Sequence, residues 1–139
     1  MYGLFLSTQY FLGKLAEVRT QTVKIQPLRD CHARHSYRLS KVVGPLFFGA
    51  VGPIDLAARS VPDTVSRWII DLSETPFIDA TAIEALESAI TGLKSRNIAV
   101  TLVAANTLVY RKLLAHGTLS LLGPKGYAAS VQQATDAAK

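Results

Sequence analysis

At 139 residues the chain has the length of one domain, and its 49% hydrophobic content is enough to build a buried core. A single cysteine excludes a disulfide framework and fits a reducing compartment. The formal charge of +5 is uneven: residues 14–41 carry seven basic side chains against Glu17 and Asp30, and residues 42–139 carry eight of each sign. With no aromatic-basic interleaving and no basic recognition helix, that excess points to a membrane surface and away from nucleic acid.

The chain opens with MYGLFLSTQYFL, an uncharged run carrying Tyr2, Leu4, Phe5, Leu6, Tyr10, Phe11 and Leu12. It is shorter than the roughly 20 residues that cross a bilayer. A secretory signal would place its basic residues first, and here Lys14 and Arg19 come after. Apolar then basic is the order at the cytoplasmic end of a transmembrane helix. Residues 1–18 therefore read as the end of such a helix or as a membrane-proximal helix. An amphipathic helix packed on the domain is the plainer alternative. Residues 19–35 read as a basic linker, in which Val23 to Pro27 is either a short strand or extended chain. Cys31, His32 and His35 are three ligand types within five residues with no fourth nearby, so they read as solvated linker residues and no metal is expected.

The domain itself is expected over 36–139. Ser36 to Val43 is a strand, Gly44-Pro45 a turn, and Leu46 to Val51 a second, more apolar strand, the two reading as neighbours in a hairpin. Gly52-Pro53 breaks it, and Asp55 caps a short helix through Arg59 that ends by Pro62. Arg67 to Leu72 is a buried strand, stopped by the polar run Ser73 to Pro76. Asp79 and Thr81 are both candidate N-caps for a helix to Ser95, and Thr81-Ala82-Ile83-Glu84 fits a capping box. In that helix Ile83, Leu86, Ile90 and Leu93 share one face, and Ala82, Ala85 and Ala89 permit close approach to a sheet. Ile98 to Ala104 is the next strand. Asn106 or Thr107 caps a helix ended near Gly117, Leu119 to Leu122 is a short strand, and Ser130 caps a last helix to Ala138. Strands alternate with helices after the first two, so the fold class is α/β with a mixed, mainly parallel sheet.

A strand, a tight polar turn and a helix start bring backbone N–H groups and a positive dipole end to one point, at Asp79–Thr81. Read plainly, both residues are caps. The sharper reading is a regulatory site. Asp71 reads as a carboxylate at the sheet's C-terminal edge that bonds to backbone. There is no Gly-rich phosphate loop, no nucleophile elbow and no paired His/Cys set, so neither enzymatic activity nor a cofactor is expected.

Gly44-Pro45-Leu46-Phe47-Phe48-Gly49-Ala50, then Trp68-Ile69-Ile70-Asp71-Leu72, then Pro76-Phe77-Ile78-Asp79-Ala80-Thr81-Ala82 with Leu86 resemble the STAS domain at the C-terminus of SulP-family (sulfate permease-like) anion transporters. The resemblance covers roughly residues 36–138, and Met1 to Val18 is similar to the last transmembrane helix and exit segment of such a transporter. It implies a single STAS-like α/β domain on the cytoplasmic face of the plasma (inner) membrane. Its role there is regulation and docking, not transport. The implied partners are the transporter's membrane domain, the membrane surface through residues 1–41, and a regulatory protein.

The resemblance also implies a regulatory, anion or nucleotide site at Asp79, Ala80 and Thr81, with Phe48, Gly49 and Ala50 at a neighbouring strand end on the same side of the sheet. STAS domains are similar to anti-sigma-factor antagonists, in which a serine directly after the motif's Asp is phosphorylated. Here Asp79 matches that Asp, but Ala80 has no hydroxyl, and Thr81 stands one place further on. That departure favours the transporter-type domain over a free-standing antagonist in a partner-switching pathway.

Overall fold

The computed structural model describes residues 23–32 and 36–137. The expectations for residues 1–18, and His35 of the Cys/His cluster, lie outside the described residues. A five-stranded sheet runs in the order β1 (Lys24–Cys31), β2 (Tyr37–Val43), β3 (Arg67–Glu74), β4 (Ala99–Val103), β5 (Tyr127–Ala128). β1 is antiparallel to β2, and every other pairing is parallel. The mixed, mainly parallel α/β architecture is as expected. Its helices are α1 (Val51–Ser60), α2 (Ala80–Ser95), α3 (Thr107–His116), α4 (Thr118–Leu122) and α5 (Val131–Ala137).

The two sheet faces carry unequal cores. On one, Val42, Trp68, Ile70, Leu72, Val100 and Leu102 pack with residues from α1 to α4 in a single cluster. The expected stripe of α2 supplies Ile83, Leu86, Ile90 and Leu93, all buried. On the other face Leu39, Ile69, Val103, Ala128 and Ala134 form a small cluster with α5. β3 lies between β2 and β4 and is apolar on both faces, which explains its near-continuous hydrophobic run.

Five expectations are corrected. Residues 24–31, placed in a basic linker, are β1, so the hairpin is β1–β2. Of the two alternatives for Val23 to Pro27 the strand is the one formed, and it runs on to Cys31; six of its eight residues are exposed and the register shifts between Pro27 and Arg29, so the pattern fades past Pro27. Leu46 to Val51 is not a strand. Leu46 alone makes a parallel bridge, to Ile78, before a 3-10 turn at Phe48–Ala50 that runs into α1. Gly52-Pro53 then starts a helix where it was expected to break a strand. Pro53 is the third residue of α1, where an N–H has no intrahelical acceptor, so the proline forfeits no bond.

Asp55 lies inside α1 and pairs with Arg59 at 3.1 Å, so it is not the cap. Leu119 to Leu122 is helical, because Gly117 in the left-handed region (φ 87°) ends α3 and starts α4. The fifth strand is instead Tyr127–Ala128, tied to β4 by Leu102 N–H to Gly126 O at 2.8 Å and Ala104 N–H to Ala128 O at 3.1 Å.

Long-range polar contacts fasten the outer strand. Arg38 donates from Nε and Nη2 to the two carboxylate oxygens of Asp30, at 2.7 and 3.0 Å, and from Nη1 to Ser60 O at 2.7 Å. One guanidinium thus joins β1, β2 and the end of α1. Its hydrogen bond holds the Asp30 carboxyl below the ordinary value. Arg96 plays the equivalent part after α2, donating to Asp63 Oδ1 and, at 2.6 Å, to Val61 O.

Candidate functional site

The C-terminal edge of the parallel strands gathers the loops that the sequence singled out. β3 runs two residues past the expected Leu72, to Glu74, and Asp71 bonds to backbone as expected, its Oδ1 accepting from Ser73 N–H at 2.9 Å. Thr75, buried, donates from Oγ1 to Val42 O at 3.2 Å and turns the chain. The 46–50 segment then docks on it. Leu46 N–H donates to Phe77 O at 2.8 Å, and Asp79 N–H donates to Leu46 O at 2.9 Å. The structure therefore brings Phe48–Gly49–Ala50 beside the start of α2, in a 3-10 turn and not at a strand end. Ala50 is buried, Gly49 half-buried, and Phe48 is 73% exposed.

At the start of α2 the two candidate caps separate. Asp79 has the extended backbone of an N-cap (φ −109°, ψ 173°), and its Oδ1 accepts from Ala82 N–H at 2.9 Å. Ala80 and Thr81 are the first two helical residues and both are exposed. The capping box at Thr81–Glu84 therefore does not form at the cap position. Asp79→Ala should cost about 1 kcal/mol, because the Ala82 N–H loses its acceptor and the dipole its carboxylate. Thr81→Ala should change stability by less than about 0.5 kcal/mol, as expected at an exposed non-capping position. Chemical denaturation of both variants checks the assignment, and a larger loss at Thr81 would reverse it.

The neighbouring loops were not legible as part of this edge. Asn106 caps α3 through Val109 N–H at 2.8 Å, as read from the sequence, and its Nδ2 also donates to Thr75 O (3.2 Å) and Pro76 O (3.3 Å). Phe77, 38% exposed, lies under the Lys112 ammonium at 4.3 Å from the ring centroid. Ala104 adopts φ 60° just before this loop, a conformation uncommon for a residue with a Cβ. These contacts join residues about 30 apart in sequence, and no local pattern announces them.

Chemically, the edge offers no nucleophile–base pair among the described residues. The Asp79 carboxylate already occupies the positive end of α2, so a second anion there would meet like charge. What remains is a surface of exposed aromatic and aliphatic side chains around a rigidly capped helix start.

The STAS domain family profile matches residues 31–134. The chain belongs to the STAS domain family. The SulP transporter STAS domain from Vibrio cholerae is similar at 31% identity, with 73% of this chain and 77% of that one covered and a TM-score of 0.61. A sulfate transporter family protein from Wolinella succinogenes is 22% identical over 73% of this chain and 84% of that one, with a TM-score of 0.67. Murine solute carrier 26 family member A9, an anion transporter in the inward-facing state, matches 99% of this STAS chain but only 25% of its own, at 17% identity and a TM-score of 0.67. The Bacillus cell fate determinant SpoIIAA has the same fold at 17% identity and a TM-score of 0.57. No curated protein sequence matches the chain.

Proposed function

We propose that this STAS domain is the cytoplasmic regulatory and docking part of a SulP-like anion transporter. It is joined through residues 1–22 to a membrane domain and held at the inner face of the plasma membrane. The observation that carries the reading is the 31% identity to a SulP transporter STAS domain across most of both chains. The apolar-then-basic order of the first 19 residues supports it. The domain works by binding and has no enzymatic role. Its docking site comprises Asp79, Ala80 and Thr81 with Phe48, Gly49 and Ala50, and a regulatory protein is the partner it would receive there.

The second reading is a free-standing antagonist of an anti-sigma factor, favoured by the likeness in fold to SpoIIAA. Against it stands Ala80, which cannot accept phosphate directly after Asp79. Among the described residues no helix is long and apolar enough to cross a membrane, so the test addresses the first residues directly. Flotation of the whole chain on vesicles is compared with a chain starting at Thr22, a cut that keeps all of β1. Salt-resistant flotation of the whole chain alone is expected if residues 1–12 insert. Release by salt would assign binding to the basic segment. Absence of flotation for both chains would overturn the membrane-attached reading in favour of the antagonist.

A further inference from the structure

We infer that the sheet face carrying α5 holds an oxyanion site at the N-terminal end of its parallel strands, where Arg29, Tyr37 and Arg67 receive a phosphate or sulfate group. The site lies at the opposite end of the strands from Asp79 and stands whether or not the domain belongs to a transporter.

Arg67 is the first residue of β3. Its side chain shares a face with Ile69, two residues on, which belongs to the smaller core. Tyr37 of β2 is in register with Arg67 and packs against that same core, and Cys31 of β1 is in register with Tyr37. Partners in register project to one side of a sheet, so the three form a row across β1, β2 and β3. Arg29, two residues before Cys31, is on the same side, and its guanidinium lies over the Tyr37 ring at 5.9 Å from the centroid. Two arginines thus flank one tyrosine, with their Cα atoms roughly 12 Å apart across the strands. Two arginine side chains can close that gap around a small ligand.

Arg67 is half-buried, and the fold gives it no acid. Among the described residues it donates only from Nη1, to Thr101 Oγ1 at 2.6 Å and to Lys125 O at 3.4 Å. Both acceptors are neutral. Burial holds its pKa below the ordinary value, and no carboxylate acts in the other direction. The acids of the neighbouring strands are spent elsewhere. Asp30 is held by Arg38, on the other face, and Glu74 by Lys41 at the far end of the strands. Asp71, four residues along β3, accepts from the Ser73 N–H. Lys125 and Asp136 have partners of their own. Taking a cation partly out of water without a counter-charge is costly, and a bound anion would remove that cost.

The number of donors selects the ligand. One guanidinium fork saturates a carboxylate. Arg29 and Arg67 present two forks from two sides, with the Tyr37 hydroxyl between them, and a tetrahedral dianion has oxygens for all three. Thr101 and the Lys125 carbonyl fix Arg67 from beneath, so half of the site is formed in advance.

The test follows the isotope-labelled full chain by heteronuclear NMR while inorganic phosphate, sulfate, O-phosphoserine or acetate is added, with ionic strength held constant by chloride. Saturable shifts are expected with phosphate and sulfate at the amides of Tyr37, Arg67 and Thr101, with none at Ala80 and Thr81. Arg67→Gln should abolish them. Arg29→Gln should weaken phosphate binding about tenfold with unchanged far-UV circular dichroism, since Arg29 is exposed. Arg111→Gln, exposed on α3 and across the sheet, should leave binding within about twofold. If Arg67→Gln does not fold, the contrast between Arg29→Gln and Arg111→Gln decides. O-phosphoserine bound as tightly as inorganic phosphate supports a site for phosphate carried on a larger solute, and its exclusion supports a site for the free ion. Shifts that do not saturate, or equal weakening by Arg29→Gln and Arg111→Gln, reduce the effect to general surface attraction and overturn the inference. Acetate bound as tightly as phosphate overturns it too, as do shifts centred on Ala80 and Thr81.

Discussion

Replacing Trp68 by alanine is expected to destabilise the domain by about 3–5 kcal/mol. The indole sits in β3 at 1% exposure, in the larger of the two cores. Alanine removes more volume there than any other single truncation, and the helices above cannot close the space without leaving their own contacts. A second loss comes from the ring nitrogen. Trp68 Nε1 donates to Ser40 Oγ at 2.9 Å, and Ser40 is itself buried, so its hydroxyl is left without that partner. Domains of this size are stable by about 5–15 kcal/mol in total, so a third or more of the margin is at stake. Urea unfolding followed by far-UV circular dichroism measures it. Fluorescence does not serve, because Trp68 is the chain's only tryptophan. Trp68→Phe keeps most of the ring volume and loses the hydrogen bond, so it should fall between wild type and alanine. A loss below about 1 kcal/mol for Trp68→Ala would mean that the core is far more adaptable than close packing allows.

Leu86→Ala should cost about 2–5 kcal/mol. Leu86 is 3% exposed and lies midway along the inward stripe of α2, between Ile83 and Ile90. The helix is clamped at its start by Asp79 and just beyond its end by Arg96, so it is poorly placed to slide into the cavity. Thr91→Ala, on the exposed side of the same helix, is the control and should stay within about 0.5 kcal/mol. Equal losses at the two positions would mean that helix propensity, and not burial, governs α2.

The parts of this fold that were legible in the sequence are those where one local signal is strong. β3 announces itself because both its faces are buried. The inward stripe of α2 and the cap Ser130 follow from spacing and side-chain chemistry alone, and Ser130 Oγ indeed accepts from Gln133 N–H at 3.1 Å, while of the two candidates Asn106 and Thr107 the fold selects Asn106. Where two signals compete, tertiary context decides. Leu46 to Val51 is as apolar as a strand, but it has only Ile78 to pair with, and the chain is drawn into a turn. Asp79 and Thr81 both satisfy the cap preference, and the backbone at Asp79, fixed by the Leu46 carbonyl, selects one of them. β1 has a local signal only as far as Pro27 and β5 has none: one is mostly exposed and irregular, the other only two residues long. The candidate site was half legible. Its helix start was visible in the sequence, but Phe77 with Lys112, and Asn106 with Thr75, meet only through the fold.

The irregularity of β1 bears on how the chain survives its own synthesis. An outer strand with a free row of amides and carbonyls invites a second chain to add on, and concentration near a membrane would worsen that tendency. Pro27 has no amide to offer, and the adjacent slip in register at Pro27/Arg29 interrupts the row a newcomer would need. The charges of Lys24, Arg29 and Asp30, all exposed, discourage stacking of identical copies. The same features that hide β1 from a sequence pattern thus defend the sheet against fibrillar growth.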